Sequence, residues 1–161
     1  MAAHSASCKR QYSAEKPEIC STGWVRLTEG ENHLISARDG LVVCQIWTRT
    51  DLSSEQGARN AQQMVAFMMN DVLRVATTYR GIIFDVRRGP PVFGPKTREA
   101  LAALLARSVE RGVPIAILTG ESATQVLQFR SLCTTSPRLT KVFENEPAAA
   151  QWLRTFQTNK P

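Results

Sequence analysis

The apolar residues of this chain fall into short continuous runs, separated by longer stretches in which they recur every three or four positions. A continuous apolar run is typical of a strand that is covered on both faces of a sheet. Three such runs occur at Leu41–Trp47, 82–86 and 113–118, and a fourth strand is predicted at 139–143. Two shorter alternating runs at 24–28 and 33–37 predict earlier strands.

Four segments have apolar residues at helical spacing and predict helices: 51–79, 95–111, 122–133 and 147–156. The first has the longest stripe on one side, Ala61, Val65, Met68, Val72, Val75 and Tyr79. Asp39 and Gly40 predict a two-residue hairpin turn between the second and third strands. After this hairpin, helices and strands alternate. The order favours an α/β fold with a mostly parallel sheet of about four to six strands, packed by about four helices.

Length and composition favour one domain. The 161 residues are 43% hydrophobic, enough for a single core. Residues 1–22 are polar and lack periodicity, which predicts a disordered or loosely attached tail. We therefore expect a domain at 23–157 and a short C-terminal tail at 158–161.

Charge and cysteine content narrow the function classes. The excess of 20 Lys and Arg over 14 Asp and Glu favours acidic partners or anions. The four cysteines form no Cys-x-x-Cys pair, so neither a disulfide framework nor a zinc site is predicted, and a reducing cytoplasm fits best. No run approaches the roughly 18 apolar residues of a membrane span. Nucleic-acid binding is not favoured, because the basic residues are not interleaved with aromatic ones.

A stiff basic stretch follows the strand predicted at 82–86. Its cations, Arg87, Arg88, Lys96 and Arg98, are expected at the carboxyl edge of the sheet, near the start of a helix. This arrangement suits an acidic protein or an anion. Solvated surface arginines are the competing interpretation. Asp85 is interpreted as a partner for loop amides or arginines, and Glu121 or Ser122 as a helix cap.

Catalytic groups are sparse. No Ser-His or Cys-His dyad can be assembled, so no catalytic, cofactor-binding or metal-ligating residue is predicted. Residues 89–97 are similar to a phosphate-binding loop with one extra residue before Lys96. However, Pro90, Pro91 and Pro95 lack the N–H groups that such a loop aims at phosphate.

The span from about His33 to Phe156 resembles the STAS domain family, which includes anti-sigma factor antagonists and the tails of sulfate transporters. The resemblance rests on Leu41–Trp47, the long first helix, 81–86, Gly-Val-Pro-Ile-Ala-Ile-Leu at 112–118, and a strand, acidic loop and Ala-rich helix at 142–153. It implies a non-enzymatic regulatory module that binds a signalling protein, such as a kinase-like anti-sigma factor. A small-ligand domain for a lipid or an anionic metabolite is the alternative.

This sequence departs from the phosphoregulated members of that family. The positions of their Asp-Ser-Ser-Gly hydroxyls are occupied by Gly94, Pro95 and Lys96. Thr97 is the nearest hydroxyl, and it is either a displaced phosphoacceptor or an ordinary first-turn residue. The edge strand at 24–28 could pair with a second copy or simply cover its own sheet.

Overall fold

Six strands form one sheet in the order in which they occur along the chain. The computed structural model describes residues 23–75 and 78–156, and both predicted tails lie outside these ranges. The strands are β1 (Val25–Glu29), β2 (His33–Arg38), β3 (Leu41–Trp47), β4 (Gly81–Arg88), β5 (Ile115–Leu118) and β6 (Thr140–Phe143). The first three strands pair antiparallel, and β3 to β6 pair parallel. The predicted α/β fold with a mostly parallel sheet is therefore confirmed.

The four α-helices lie on both faces of the sheet. They are α1 (Ser54–Phe67), α2 (Pro95–Glu110), α3 (Ala123–Cys133) and α4 (Glu146–Thr155). The crossovers through α1, α2 and α3 each step to the next strand in the same direction. Because such crossovers are right-handed, they place all three helices on one face. Among the described helices, only α4, which follows the last strand, covers the other face, where it packs against β4, β5 and β6.

Successive side chains of β4 point to opposite faces of the sheet and so contribute to two separate cores. Ile82, Phe84 and Val86 belong to the larger core, beneath α1, α2 and α3. Ile83 belongs to the smaller core, with Ala149 and Leu153 of α4. All of β4 up to Val86 is buried, as its continuous apolar run predicts.

The predicted hairpin turn is confirmed at Asp39 and Gly40. Their φ angles are 52° and 79°, so both residues adopt the left-handed region that a type I′ turn requires. The turn joins β2 to β3 in an antiparallel pair.

The helix predicted at 51–79 is shorter and less regular than expected. It begins after Ser53, whose side chain caps the helix, but α1 ends at Phe67. A π-helical turn at Met68–Val72 and a 3₁₀ turn at Leu73–Val75 follow. Because these turns do not keep the α-helical period, the predicted stripe is buried at Val72 but 39% exposed at Val75.

Candidate functional site

The loop at residues 89–94 begins with a tight turn at the carboxyl end of β4. The N–H of Gly89 donates to the carbonyl oxygen of Val86 at 2.8 Å. A Cβ atom at Gly89 would lie only 3.0 Å from that same oxygen, so glycine suits this close approach. The chain thus leaves the sheet abruptly and runs towards α3.

Two glutamines of α3 hold the backbone of the 89–94 loop. The buried amide nitrogen of Gln125 donates to the carbonyl oxygens of Val86 and Pro90, both at 3.0 Å. Its oxygen accepts from the N–H of Gly120 at 2.9 Å. Gln128 accepts from the N–H of Phe93 at 3.0 Å and donates to the carbonyl of the same residue at 3.3 Å. These bonds tie the loop to a helix that starts about 30 residues later.

The side chain of Phe93 also anchors the loop. Its ring is buried and meets Phe129 edge to face, with ring centroids 5.3 Å apart. The preceding residue, Val92, is 55% exposed. The 89–94 loop therefore presents an apolar side chain to solvent from a backbone that is held on its other side.

Arg87 already has two carboxylate partners. Its guanidinium binds both oxygens of the buried Asp85, at 2.9 and 2.7 Å, and lies 3.8 Å from Glu146 of α4. The N–H of Arg87 also donates to Asp85. Hydrogen bonding to Asp85 raises the pKa of the Arg87 guanidinium above its ordinary value. Asp85 thus has the predicted role of partner to an arginine and a backbone amide.

The other predicted cations lie at different places. Arg88 lines a pocket with Leu34, Gln45 and Trp47. Lys96 and Thr97 line a separate cavity on the α1 and α2 side. Arg98 is exposed on α2. The structure thus divides the predicted basic cluster between two pockets and an exposed helix face.

The start of α2 carries the predicted phosphoacceptor. Pro95 is the first residue of the helix, and Gly94 precedes it without a side-chain cap. Thr97 is half-buried in the first turn. Because Pro95 has no N–H, the turn offers fewer backbone donors than a phosphate-binding loop would.

A cavity of about 580 Å³ lies between α1, the start of α2 and the 89–94 loop. Its apolar lining includes Ile46, Ala58, Ala61, Met64, Phe93 and Leu101. Its polar lining includes Asn32, His33, Asn60 and Lys96. A volume of this size falls within the roughly 300–1,000 Å³ typical of small-molecule sites.

The residues that shape the 89–94 loop and the cavity were not predicted from the sequence. Gln125 and Gln128 are spaced three apart, which predicts that they share a helix face. Nothing in that spacing indicates the loop, about 35 residues earlier, that they hold. Small residues on α1, such as Ala58 and Ala61, give no sign of a cavity until α2 is placed beside them.

Other site types find little support in the described ranges. Between residues 23 and 75, and between 78 and 156, no three His, Cys, Asp or Glu side chains are grouped as a metal site would need. Within the same ranges, no helix has both the length and the apolar character needed to span a membrane.

Comparisons with known proteins support the fold and go no further. No protein-family model matches the sequence, and no curated protein does either. A solved NMR structure of the protein TM1081 is similar in fold, with a TM-score of 0.54 over 92% of this chain and 98% of that chain. The two sequences are 13% identical, so this likeness concerns the fold alone.

Proposed function

We propose that this protein is a non-enzymatic regulatory module of the STAS type, which contacts a protein partner through residues 87–98. The observation that carries the proposal is the 89–94 loop, which is fixed by Gln125, Gln128 and Phe93 while it exposes Val92. A loop that is already ordered loses little conformational entropy when a partner binds. Such a loop is therefore better suited to recognition than a flexible one.

The chemistry around Val92 indicates the kind of partner. The exposed cations Arg88 and Arg98 lie on the elements on either side of the loop, and neither has a carboxylate within ion-pair distance among the described residues. Protein interfaces usually combine an apolar core with a polar rim, and in this proposal Val92 belongs to the core and the two arginines to the rim. The partner should therefore offer an apolar pocket bordered by Asp and Glu, as a kinase-like anti-sigma factor or another signalling protein could.

The proposal places the protein in a reducing cytoplasm. Cys44 and Cys133 are both free and buried, which suits a compartment in which thiols stay reduced. Burial also raises the pKa of the Cys44 thiol well above its ordinary value, so this group is not a reactive thiolate.

An affinity capture with a charged substitution tests the contact. Val92→Asp should abolish retention of the partner from native lysate, because a carboxylate replaces the apolar centre and repels the acidic rim. The matched control is Leu127→Asp on α3, where the leucine is 66% exposed and has no part in the loop. Proteins retained by the wild type and by Leu127→Asp, but lost with Val92→Asp, are the expected partners.

The arginines provide a second arm of the same experiment. Reversing Arg88 and Arg98 to Glu should reduce the same retained proteins, while Arg130→Glu on α3 should not. Arg87 is left unchanged because it supports Asp85. An identical retained set for the wild type and Val92→Asp would contradict the proposed surface.

A further inference from the structure

The cavity beside the 89–94 loop has the volume and lining of a ligand site. It is open because α1 presents small residues there: Gly57, Ala58 and Ala61 all line it. A Cβ atom added at Gly57 would meet no heavy atom within 4 Å. The buried side chains of Met64 and Leu101 supply apolar surface in the same cavity. An apolar group of a ligand would therefore leave water without displacing the core.

Two buried polar side chains in the lining are only partly hydrogen-bonded. The amide nitrogen of Asn60 donates to Glu31 at 3.0 Å, but its oxygen accepts from none of the described residues. The ring of His33 makes a long contact of 3.5 Å, between its Nδ1 and the side-chain oxygen of Asn32. Both residues are more than nine-tenths buried. A carboxylate only accepts hydrogen bonds, so an N–H of the His33 ring suits it, whereas the oxygen of Asn60 accepts only from a donor on a ligand.

The rim of the cavity favours a negative charge. Lys96 lines it and has no carboxylate within ion-pair distance among residues 23–75 and 78–156. It stands in the first turn of α2, where the helix dipole also attracts anions. The one carboxylate in the lining, Glu55, is paired with Arg59 at 3.0 Å. Because Glu55 is already paired, the ammonium group of Lys96 remains available to a ligand.

We propose that this cavity binds a single-chain amphiphile with a carboxylate head. The hydrocarbon chain lies among Ala61, Met64 and Leu101, and the carboxylate lies at Lys96, with the ring of His33 as a further polar group in the lining. The inference goes beyond the protein contact proposed above and does not depend on it. A bulky or highly polar anion fits less well, since most of the lining is apolar.

Direct titration of the purified full chain tests the ligand class. Decanoate is the probe, used below its micelle concentration, with 1-decanol and acetate as matched compounds that lack the charge or the chain. Isothermal titration calorimetry should show saturable binding of one decanoate per chain. Binding of 1-decanol should be about three- to tenfold weaker, and acetate should give no measurable heat.

Variants then locate the site. Ala61→Phe should fill the cavity and weaken decanoate binding at least about tenfold. Gln62→Phe introduces the same residue on the exposed side of α1 and should not weaken binding. Lys96→Met should weaken decanoate binding by about three- to tenfold and leave 1-decanol binding unchanged. Arg98→Met, two residues further along α2 and outside the cavity, is its control.

Amide NMR spectra of the wild type keep the test independent of how the variants fold. Decanoate should shift the signals of residues such as Ala61, Met64 and Leu101 more than those of α4. An absence of decanoate binding, binding that Ala61→Phe leaves intact, or shifts confined to other parts of the protein would each overturn the inference. Because Ala61 lies outside residues 87–98, loss of ligand binding in this variant with partner capture intact would separate the two proposals.

Discussion

Gln125 shows how much a single buried side chain contributes to the candidate contact surface. Its amide joins β4, the 89–94 loop and the turn before α3 through three hydrogen bonds, and it is 2% exposed. All three groups that it binds belong to the backbone, so these hydrogen bonds do not depend on which side chains the loop carries.

Substitution of Gln125 by Ala should therefore destabilise the protein. Pro90 and Gly120 would lose the hydrogen bond to this side chain, while the Val86 oxygen would keep only the one from Gly89, so we expect the free energy of unfolding to fall by about 2 kcal/mol. Urea denaturation measures this loss. Gln62→Ala on the exposed side of α1 is the control and should change the free energy by less than about 0.5 kcal/mol. Equal effects from the two substitutions would contradict the role of Gln125.

His33 should make stability depend on pH. Burial lowers its pKa below the ordinary value of 6.5, and the nearby Glu29 opposes this effect. The unfolded chain therefore takes up a proton more readily than the folded one. The stability contributed by neutral His33 is complete above pH 6.5 and is lost as the pH falls towards its lower folded-state pKa.

Denaturation at a series of pH values checks this linkage. Between about pH 6.5 and 5, the free energy of unfolding of the wild type should fall more steeply than that of His33→Gln. The variant lacks the titrating ring, so it also serves as the control for all other groups. Parallel curves for the two proteins would show that His33 does not carry the effect.

At the scale of elements, sequence patterns predict how helices begin better than how they end. The hydroxyl of Ser53 accepts from the N–H of Gln56, and the side chain of Gln56 accepts from the N–H of Ser53. This capping box is a local arrangement that four consecutive residues determine. The end of the same helix is set by the π-helical turn at Met68–Val72, which depends on packing that the local sequence does not reveal.

The capping box of α1 gives a matched pair of substitutions. Ser53→Ala should lower the free energy of unfolding by about 1 kcal/mol, because it removes the side-chain acceptor at the helix start. Ser54→Ala, at the next position, removes no described hydrogen bond and should cost less than about 0.5 kcal/mol. Thermal or urea denaturation compares the two. A larger loss for Ser54→Ala would rule out the cap as the source of stability.

For the whole molecule, the mostly parallel sheet could be predicted because its parallel strands are continuous apolar runs with helices between them. The positions of the side chains of Arg87, Arg88, Lys96 and Arg98 could not be predicted in this way. Because these residues are close in the sequence, they were expected at one edge of the sheet. In the structure, the alternation of β4 directs Arg87 to Asp85 and Glu146, whereas Lys96, on α2, lines the cavity. Side-chain direction, which sets charge clusters, depends on register and on neighbouring elements.

The cavity and the exposed loop share residues, so the proposed ligand site and the proposed contact surface lie close together. Val92 and Phe93 belong to the 89–94 loop and also line the cavity. Sequence reasoning kept a small-ligand domain only as an alternative to a protein-interaction module. Because the loop borders both surfaces, the two proposals are compatible with one fold.

The most direct measurement is a calorimetric titration of the captured partner, once purified, against the wild type, Val92→Asp and Leu127→Asp. If the fixed 89–94 loop is the centre of the interface, Val92→Asp should weaken the affinity by at least about tenfold, and Leu127→Asp should match the wild type. Equal affinities for the wild type and Val92→Asp would contradict the account.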